Sequence, residues 1–219
     1  MSLLYYSRMR FTTHVLPLLL SSSLPAHVVS VFGPGRDTTF IATDLSLRSP
    51  KNYGFINSGS HVAYLATFFM EYLVAQNPGK LALIHYYPGL VLSEGYQDPT
   101  FPFWFRGIFK YGAPLIKLLL PTLNGKESGE RTLFNASPRF PPRSADGKAA
   151  SSKSVGSIGV AESSDGIVGG GAYRVNFDNE QVATPKQYKK LREEGWLDKA
   201  VNHTLKAFEE IEAGRVFTG

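Results

Sequence analysis

The stretch from Leu81 to Ser93, LALIHYYPGLVLS, constrains the fold of this chain more than any other. Apart from His85, its first seven residues are apolar or aromatic. A short run without polar alternation is typical of a strand that is buried on both faces of a parallel sheet. Pro88 and Gly89 then mark a turn. We therefore predict a buried strand over 81–87 that ends where the backbone turns outward.

The segments before this strand predict an α/β protein. Residues 2–20 and 58–76 carry apolar side chains at helical spacing, and residues 26–32 form a β-branched run suited to a second buried strand. Residues 38–57 have no clear period and are predicted to be irregular. Helix, strand, helix, strand with short connections is the order of a parallel α/β unit. The fold class we predict is α/β, with part of a doubly wound parallel sheet.

The composition changes after residue 141. Residues 142–170 are rich in Ser, Gly, Ala and Lys, which predicts a mobile loop. Residues 171–177 are typical of a short strand, and a helical tail follows, with Pro185 at its first helical position. The expected organisation is a sheet domain over 1–141, a flexible loop over 142–170, and a strand with C-terminal helices over 171–219 that packs on the same domain.

The composition also excludes several functions. The net charge is +5, and the basic residues are scattered, whereas a nucleic-acid surface usually concentrates them in a stripe. We therefore expect no nucleic-acid partner. The chain has no cysteine, which excludes disulfides and zinc–thiolate sites and fits a cytoplasmic protein. Residues 8–26 imitate a signal peptide, but their arginines lie inside an aromatic, amphipathic run. No metal site is predicted.

Residues 99–121 are aromatic and apolar, with Arg106, Lys110 and Lys117 interrupting them. These charges exclude a membrane-spanning helix. Two interpretations stay open: a helix and loop packed on the domain, or a cap that encloses a hydrophobic substrate above the strand ends. We do not expect a membrane partner, although shallow contact with a membrane surface stays open as a third interpretation.

Several runs together resemble short-chain dehydrogenases/reductases of filamentous fungi. They are YYSRMRFTTHVLPLL, AHVVSVFGPG, the segment from Gly59 to Pro78, HYYPGLV, GERTLFNAS, and the tail from Tyr188 to Ile211. The resemblance implies a Rossmann-like fold, NADP or NAD as cofactor, a small hydrophobic carbonyl or alcohol as substrate, and a role in secondary metabolism. In that family the Pro-Gly turn lies under the nicotinamide, so the resemblance assigns Pro88, Gly89 and Ser93 to cofactor binding.

Two features of the family are missing from the sequence. The glycine-rich turn whose amides approach the cofactor pyrophosphate is absent, and the first strands of the family's sheet are expected to be missing with it. The family also uses a Tyr as general acid and a Lys four residues later, on the same helix face. Counting back from Pro88 places these two residues at Ser58 and Val62, and the family's strand serine at Gly33.

Three residues are candidate catalytic substitutes. His61 begins the same helix and titrates near neutral pH, so it is a candidate acid. Tyr53, with Asn57 four residues later, repeats the family spacing without a lysine. Ser30 lies in the preceding strand. Each also has a purely structural interpretation, in which His61 bonds backbone, Tyr53 lies in a surface loop and Ser30 is buried.

Two functions therefore stay open. The first is an NAD(P)-dependent oxidoreductase acting on a hydrophobic carbonyl or alcohol. The second is a catalytically inactive fragment or pseudoenzyme that binds a partner chain, because an unpaired sheet edge needs a cover. The expected partner is a complementing N-terminal half or another copy of the chain, and the resemblance implies helix 58–76 as the surface between copies.

Overall fold

The computed structural model describes residues 1–119, 121–146 and 158–219, and they form an α/β structure. Its strands are β1 (Ala26–Val31), β2 (Leu81–Tyr86), β3 (Leu90–Leu92), β4 (Thr122–Asn124) and β5 (Ala172–Val175). Its helices are α1 (Ser7–Leu20), α2 (Phe55–Gln76), α3 (Phe103–Tyr111), α4 (Ala113–Leu119), α5 (Gly125–Phe134), α6 (Lys186–Glu193) and α7 (Trp196–Glu212). A π-helical turn, Ser2–Tyr6, precedes α1, and a 3-10 turn, Glu94–Gln97, follows β3.

The main sheet has the order β1-β2-β5, and every pairing in it is parallel. Ala26 pairs with Leu81 at one end of the sheet, and Leu83 pairs with Ala172 further along. All six residues of β2 are buried, because a strand lies on each side of it, α2 packs against it, and Phe140 and Ala161 pack with its residues Ala82, Ile84 and Tyr86. The prediction of an α/β parallel sheet is confirmed.

The core is centred on α2, which contacts β2, β5 and α7. Its residues from Ser60 to Glu71 are all buried, so this part of the helix is covered on every side and does not have one apolar and one exposed polar face. The helix begins at Phe55, three residues before the start of the predicted helix. Tyr5 of the π-helical turn is buried in the same core, and its hydroxyl lies 2.7 Å from the hydroxyl of Thr204 in α7.

A second, smaller parallel sheet joins β3 to β4, and the sequence did not predict it. Strands of three residues are too short to show a period of two.

The aromatic segment forms α3 and α4, which lie between β3 and β4 in the chain. Tyr96 stacks on Phe109 at 4.1 Å, while a stripe over both helices is 52–80% exposed. The stripe consists of Trp104, Ile108, Tyr111, Leu115 and Leu118. Within the residues that the structure describes, no helix combines the length and apolar character needed to cross a membrane.

The segment predicted as a flexible loop is only partly described, since residues 147–157 lie outside the described ranges. Residues 158–170 fold into a tight turn in which Glu162 and Val168 form an antiparallel bridge. The Ser164 hydroxyl donates to the buried carboxylate of Glu71 at 2.6 Å. This part of the segment is therefore fixed against α2.

A buried ion pair connects the loop after β1 to β5. Nη2 of Arg174 lies 2.9 Å from both carboxylate oxygens of Asp37, and both side chains are at most 1% exposed. The Gly35 amide also donates to Asp37, and the Arg174 guanidinium lies 4.9 Å from the centre of the Tyr188 ring. A buried charge that loses its partner keeps the cost of leaving water. The pair therefore fixes the loop to the sheet.

We expect Asp37→Asn to lower the free energy of unfolding by about 3–5 kcal/mol, because Arg174 would remain buried without a counter-ion. Urea unfolding followed by circular dichroism measures this change. The matched control is Glu130→Gln, which removes an exposed ion pair with Lys126 and should change the free energy of unfolding by roughly 0.5 kcal/mol or less. Equal effects of the two substitutions would contradict this role of the pair.

Candidate substrate cleft at the carboxyl ends of the strands

A cleft of about 470 Å³ opens at the carboxyl ends of β1 and β2, beside the first turns of α2. Ligands of doubly wound sheets bind at this end of the strands. The wall is mostly apolar. The lining residues are Leu4, Phe32, Gly33, Arg36, Thr38, Phe55, Ile56, Ser58, Gly59 and Tyr87.

The cleft contains two of the positions to which counting back from Pro88 assigns the family's catalytic groups. Gly33, the position of the strand serine, and Ser58, the position of the tyrosine, both line it. The Ser58 hydroxyl donates to the Phe55 carbonyl at 3.2 Å. Val62, the lysine position, is 1% exposed and belongs to the apolar core. By this count, the positions of the family's phenol and ammonium groups hold a serine and a buried valine.

His61, the candidate acid, does not line the cleft. Its side chain is fully buried, and Nε2 accepts a hydrogen bond from the Ile41 amide at 2.7 Å. Phe40 stacks on the ring at 5.2 Å. Burial lowers the pKa of His61 to about 4, so the ring is neutral at physiological pH. This position agrees with the structural interpretation of His61, in which its ring forms a hydrogen bond with the backbone.

The other two candidates also lie outside the lining of the cleft. Tyr53 is 56% exposed in the loop before α2, so the surface-loop interpretation describes its position. Ser30 lies in β1, where it pairs with His85 of β2, and it is half-buried instead of buried as expected. The structure does not bring His61, Tyr53 and Ser30 together in the cleft.

The Pro-Gly turn lies directly after β2, as the sequence indicates. Gly89 has φ +74°, and a Cβ added there would lie 3.0 Å from Cβ of Phe177, so backbone conformation and packing both require glycine. Ser93 is exposed and precedes the 3-10 turn. Pro88, Gly89 and Ser93 are not among the residues that line the cleft.

The described residues do not form a complete site for a dinucleotide. A pyrophosphate site needs a strand that leads through a glycine-rich turn directly into a helix. After β1, the glycines at 33 and 35 lead into a long loop, and α2 begins only at Phe55. The residues present therefore fit the nicotinamide end of such a cofactor at most. No group of three or more His, Asp or Glu side chains within these residues is arranged to hold a metal ion.

Sequence reasoning missed two side chains of the cleft, Arg36 and Tyr87. The guanidinium of Arg36 lies over the Tyr87 ring, 5.3 Å from its centre. Beneath them, Nε2 of buried His85 accepts a hydrogen bond from the Gly33 amide at 3.4 Å. Burial, together with the positive charges of Arg174 and Arg8, lowers the pKa of His85 to about 3. The charged group that faces the cleft is therefore Arg36. The sequence feature that could have indicated this role is the position of Arg36 in a loop that follows a predicted strand.

The buried histidines predict acid sensitivity. The pKa of His61 falls from about 6.5 in the unfolded chain to about 4 in the folded one, so below pH 6.5 protons bind preferentially to the unfolded state. The free energy of unfolding should then fall by up to about 1.4 kcal/mol per pH unit between pH 6.5 and 4 on account of His61. Urea unfolding across this range measures the slope.

The matched variant is His61→Gln, which keeps a hydrogen-bond acceptor and removes the titrating ring. We expect it to be less stable than the wild type and to show a flatter pH dependence between pH 6.5 and 4, with parallel curves above pH 7.5. Identical slopes below pH 6.5 would show that His61 is not held neutral.

Comparison with known proteins identifies the class to which this fold and cleft are related. No protein-family model matches the chain. The chain is 31% identical over 212 residues to the short-chain dehydrogenase/reductase SAT2 of Stachybotrys chartarum, covering 96% of this chain and 58% of that protein. It is 33% identical over 204 residues to the oxidoreductase AN1596 of Emericella nidulans, covering 93% and 59%. It is 29% identical over 211 residues to the oxidoreductase andH of Emericella variicolor, covering 94% and 59%.

The resemblance to short-chain dehydrogenases/reductases of fungi is therefore confirmed, and it extends over nearly the whole chain. The chain spans about three-fifths of the length of the curated relatives that it matches.

Proposed function

We propose that this chain supplies the substrate side of an NAD(P)-dependent oxidoreductase that acts on a hydrophobic carbonyl or alcohol. The observation that carries the proposal is the position of the cleft. It lies at the carboxyl ends of the strands and is lined by Gly33 and Ser58, the positions of two catalytic groups in the family. The relatives named as oxidoreductases support the same reaction class.

The wall of the cleft favours an apolar ligand. Phe32, Phe55 and Ile56 contribute aromatic and aliphatic surface, and the volume of about 470 Å³ lies within the range of about 300–1,000 Å³ typical of small-molecule sites. Each methylene group of a ligand that leaves water there contributes about 0.8 kcal/mol. A molecule with one ring and a short chain should therefore bind without any ionic contact.

The cofactor enters the proposal only in part. A nicotinamide dinucleotide would supply or accept hydride, with its ring beside the Pro88-Gly89 turn. The described residues do not fit its pyrophosphate, and Ser58 and Val62 do not replace a phenol and an ammonium group. We therefore propose that these residues bind and enclose the substrate, and that the cofactor's phosphates need groups beyond them.

A second candidate function is a non-catalytic chain that binds a partner. It is favoured by the free edge of the main sheet, since β1 pairs only with β2 within the described residues. On the π-helical turn and α1, Leu3, Phe11 and Leu18 are 70–80% exposed. A partner that added a strand beside β1 and packed on α1 would cover both features.

We expect the ketone 4-phenyl-2-butanone to bind the chain in the cleft and Gly59→Trp to prevent this. Gly59 lines the cleft, and a Cβ added there meets no atom within 4 Å, so a larger side chain can start from this position without a clash at its Cβ. Affinity should fall at least about tenfold, because the indole would take the apolar surface that the ligand covers. Calorimetric titration measures affinity, after circular dichroism shows that both proteins are folded.

The matched control is Gly129→Trp, an exposed glycine of α5 that also meets no atom within 4 Å. It should bind the ketone as the wild type does. Absence of ketone binding by the folded wild-type chain, or equal binding by Gly59→Trp, would overturn the cleft as a substrate site and favour the partner-binding alternative.

We also expect the isolated 219-residue chain to bind neither NADPH nor NADH with micromolar affinity, because the amides of a glycine-rich turn are missing from the described residues. Titration calorimetry with both dinucleotides tests this directly. Micromolar binding by the folded chain would show that it holds a pyrophosphate site of its own.

A further inference from the structure

We infer that the cleft takes ligands whose apolar body carries a carboxylate, and that Arg36 recognises this group. The inference rests on the proposed function of the cleft as a substrate site and narrows the class of substrate.

Arg36 is a positive charge that has no counter-ion among the described residues. Its side chain lines the cleft and is exposed, and no carboxylate pairs with it in the part of the chain that the structure describes. The nearest acid in sequence, Asp37, is occupied by Arg174 and by the Gly35 amide. Arg36 therefore forms no ion pair with Asp37, the acidic residue next to it in the loop.

The surroundings of Arg36 strengthen this positive field. None of the residues that line the cleft is acidic. Arg8 of α1 approaches the same strand end, where it donates to the Val31 carbonyl and lies 5.7 Å from the centre of the Phe32 ring. Two arginines beside an apolar wall favour a negatively charged group, since the attraction between charges increases where water is excluded.

The position of the guanidinium is fixed from two sides. Its face lies over the Tyr87 ring at 5.3 Å, a distance typical of a cation–π contact. Its stem crosses Gly33, where a Cβ would lie 3.0 Å from Cδ and 3.3 Å from Nε of Arg36. The absence of a side chain at 33 thus gives Arg36 its place above the end of β1.

These contacts define the ligand. A planar guanidinium binds a carboxylate through two parallel hydrogen bonds, which a ketone or an alcohol cannot form. The aromatic and aliphatic wall formed by Phe32, Phe55 and Ile56 then contacts the rest of the molecule. The substrate class is an aryl or alkyl carboxylic acid that also carries the carbonyl or alcohol to be converted.

The test compares two probes of similar size, 4-phenylbutyrate and 4-phenyl-2-butanone, by titration calorimetry at low salt. We expect the wild-type chain to bind the carboxylate about tenfold more tightly than the ketone. Arg36→Gln should remove this preference, because it weakens binding of the carboxylate. Raising the salt concentration should reduce the preference in the wild type, because salt screens a partly exposed charge pair.

Gly33→Ser provides a second variant that keeps the arginine. The new side chain requires the flexible stem of Arg36 to move, so it should also reduce the preference for the carboxylate while the chain stays folded. The matched control is Lys80→Gln, which removes an exposed cation at the amino end of β2, the opposite end of the sheet from the cleft. It should leave both affinities unchanged.

The two hypotheses fail in different ways. Equal affinity of the wild type for the two probes, or a carboxylate preference that survives Arg36→Gln, would overturn the assignment of Arg36 while the apolar cleft stands. Absence of binding of both probes to the folded wild-type chain would overturn the cleft as a substrate site, and the inference with it.

Discussion

The buried ion pair between Asp37 and Arg174 is the interaction on which the cleft depends. It connects the loop after β1 to β5 across the intervening strand, where neither charge reaches water. Such a pair contributes little net stability compared with apolar packing, but it specifies one arrangement, since each charge is costly without the other. Because Asp37 is held in this way, the residue before it is held at the strand end. The direction in which Arg36 enters the cleft follows from this connection.

The position of the cleft follows from the fold and not from the side chains that line it. Parallel strands bring their carboxyl ends to one edge, and that geometry does not depend on which side chains follow the strands. In this chain a glycine and a serine stand at positions 33 and 58, and an arginine and a tyrosine at positions 36 and 87 give the cleft its polar character. The curated relatives are named as oxidoreductases, while Gly33 and Ser58 of this chain differ from the residues that the family pattern places there.

The sequence predicted those parts of the structure that depend on local burial. The apolar runs at 26–32 and 81–87 became adjacent parallel strands. β2 is buried throughout, as such a run predicts, whereas β1 is only half-buried because within the described residues it pairs on one side alone. The strand Leu90–Leu92 is too short to show a pattern. Two properties of the site depend on contacts between distant segments. His61 is buried because the loop before α2 folds over it. Arg36 lines the cleft because Gly33 leaves space for its stem and the Tyr87 ring, just after β2, packs against its guanidinium.

Gly33 links the two possible chemistries of the cleft. A Cβ at 33, as in the serine of the family pattern, would lie 3.0 Å from Cδ of Arg36, so the stem of the arginine would have to shift to accommodate it. A serine at 33 therefore displaces the stem of Arg36, whereas a small residue at 36 would leave room for that serine. The effect of a substitution at one position thus depends on the residue already present at the other.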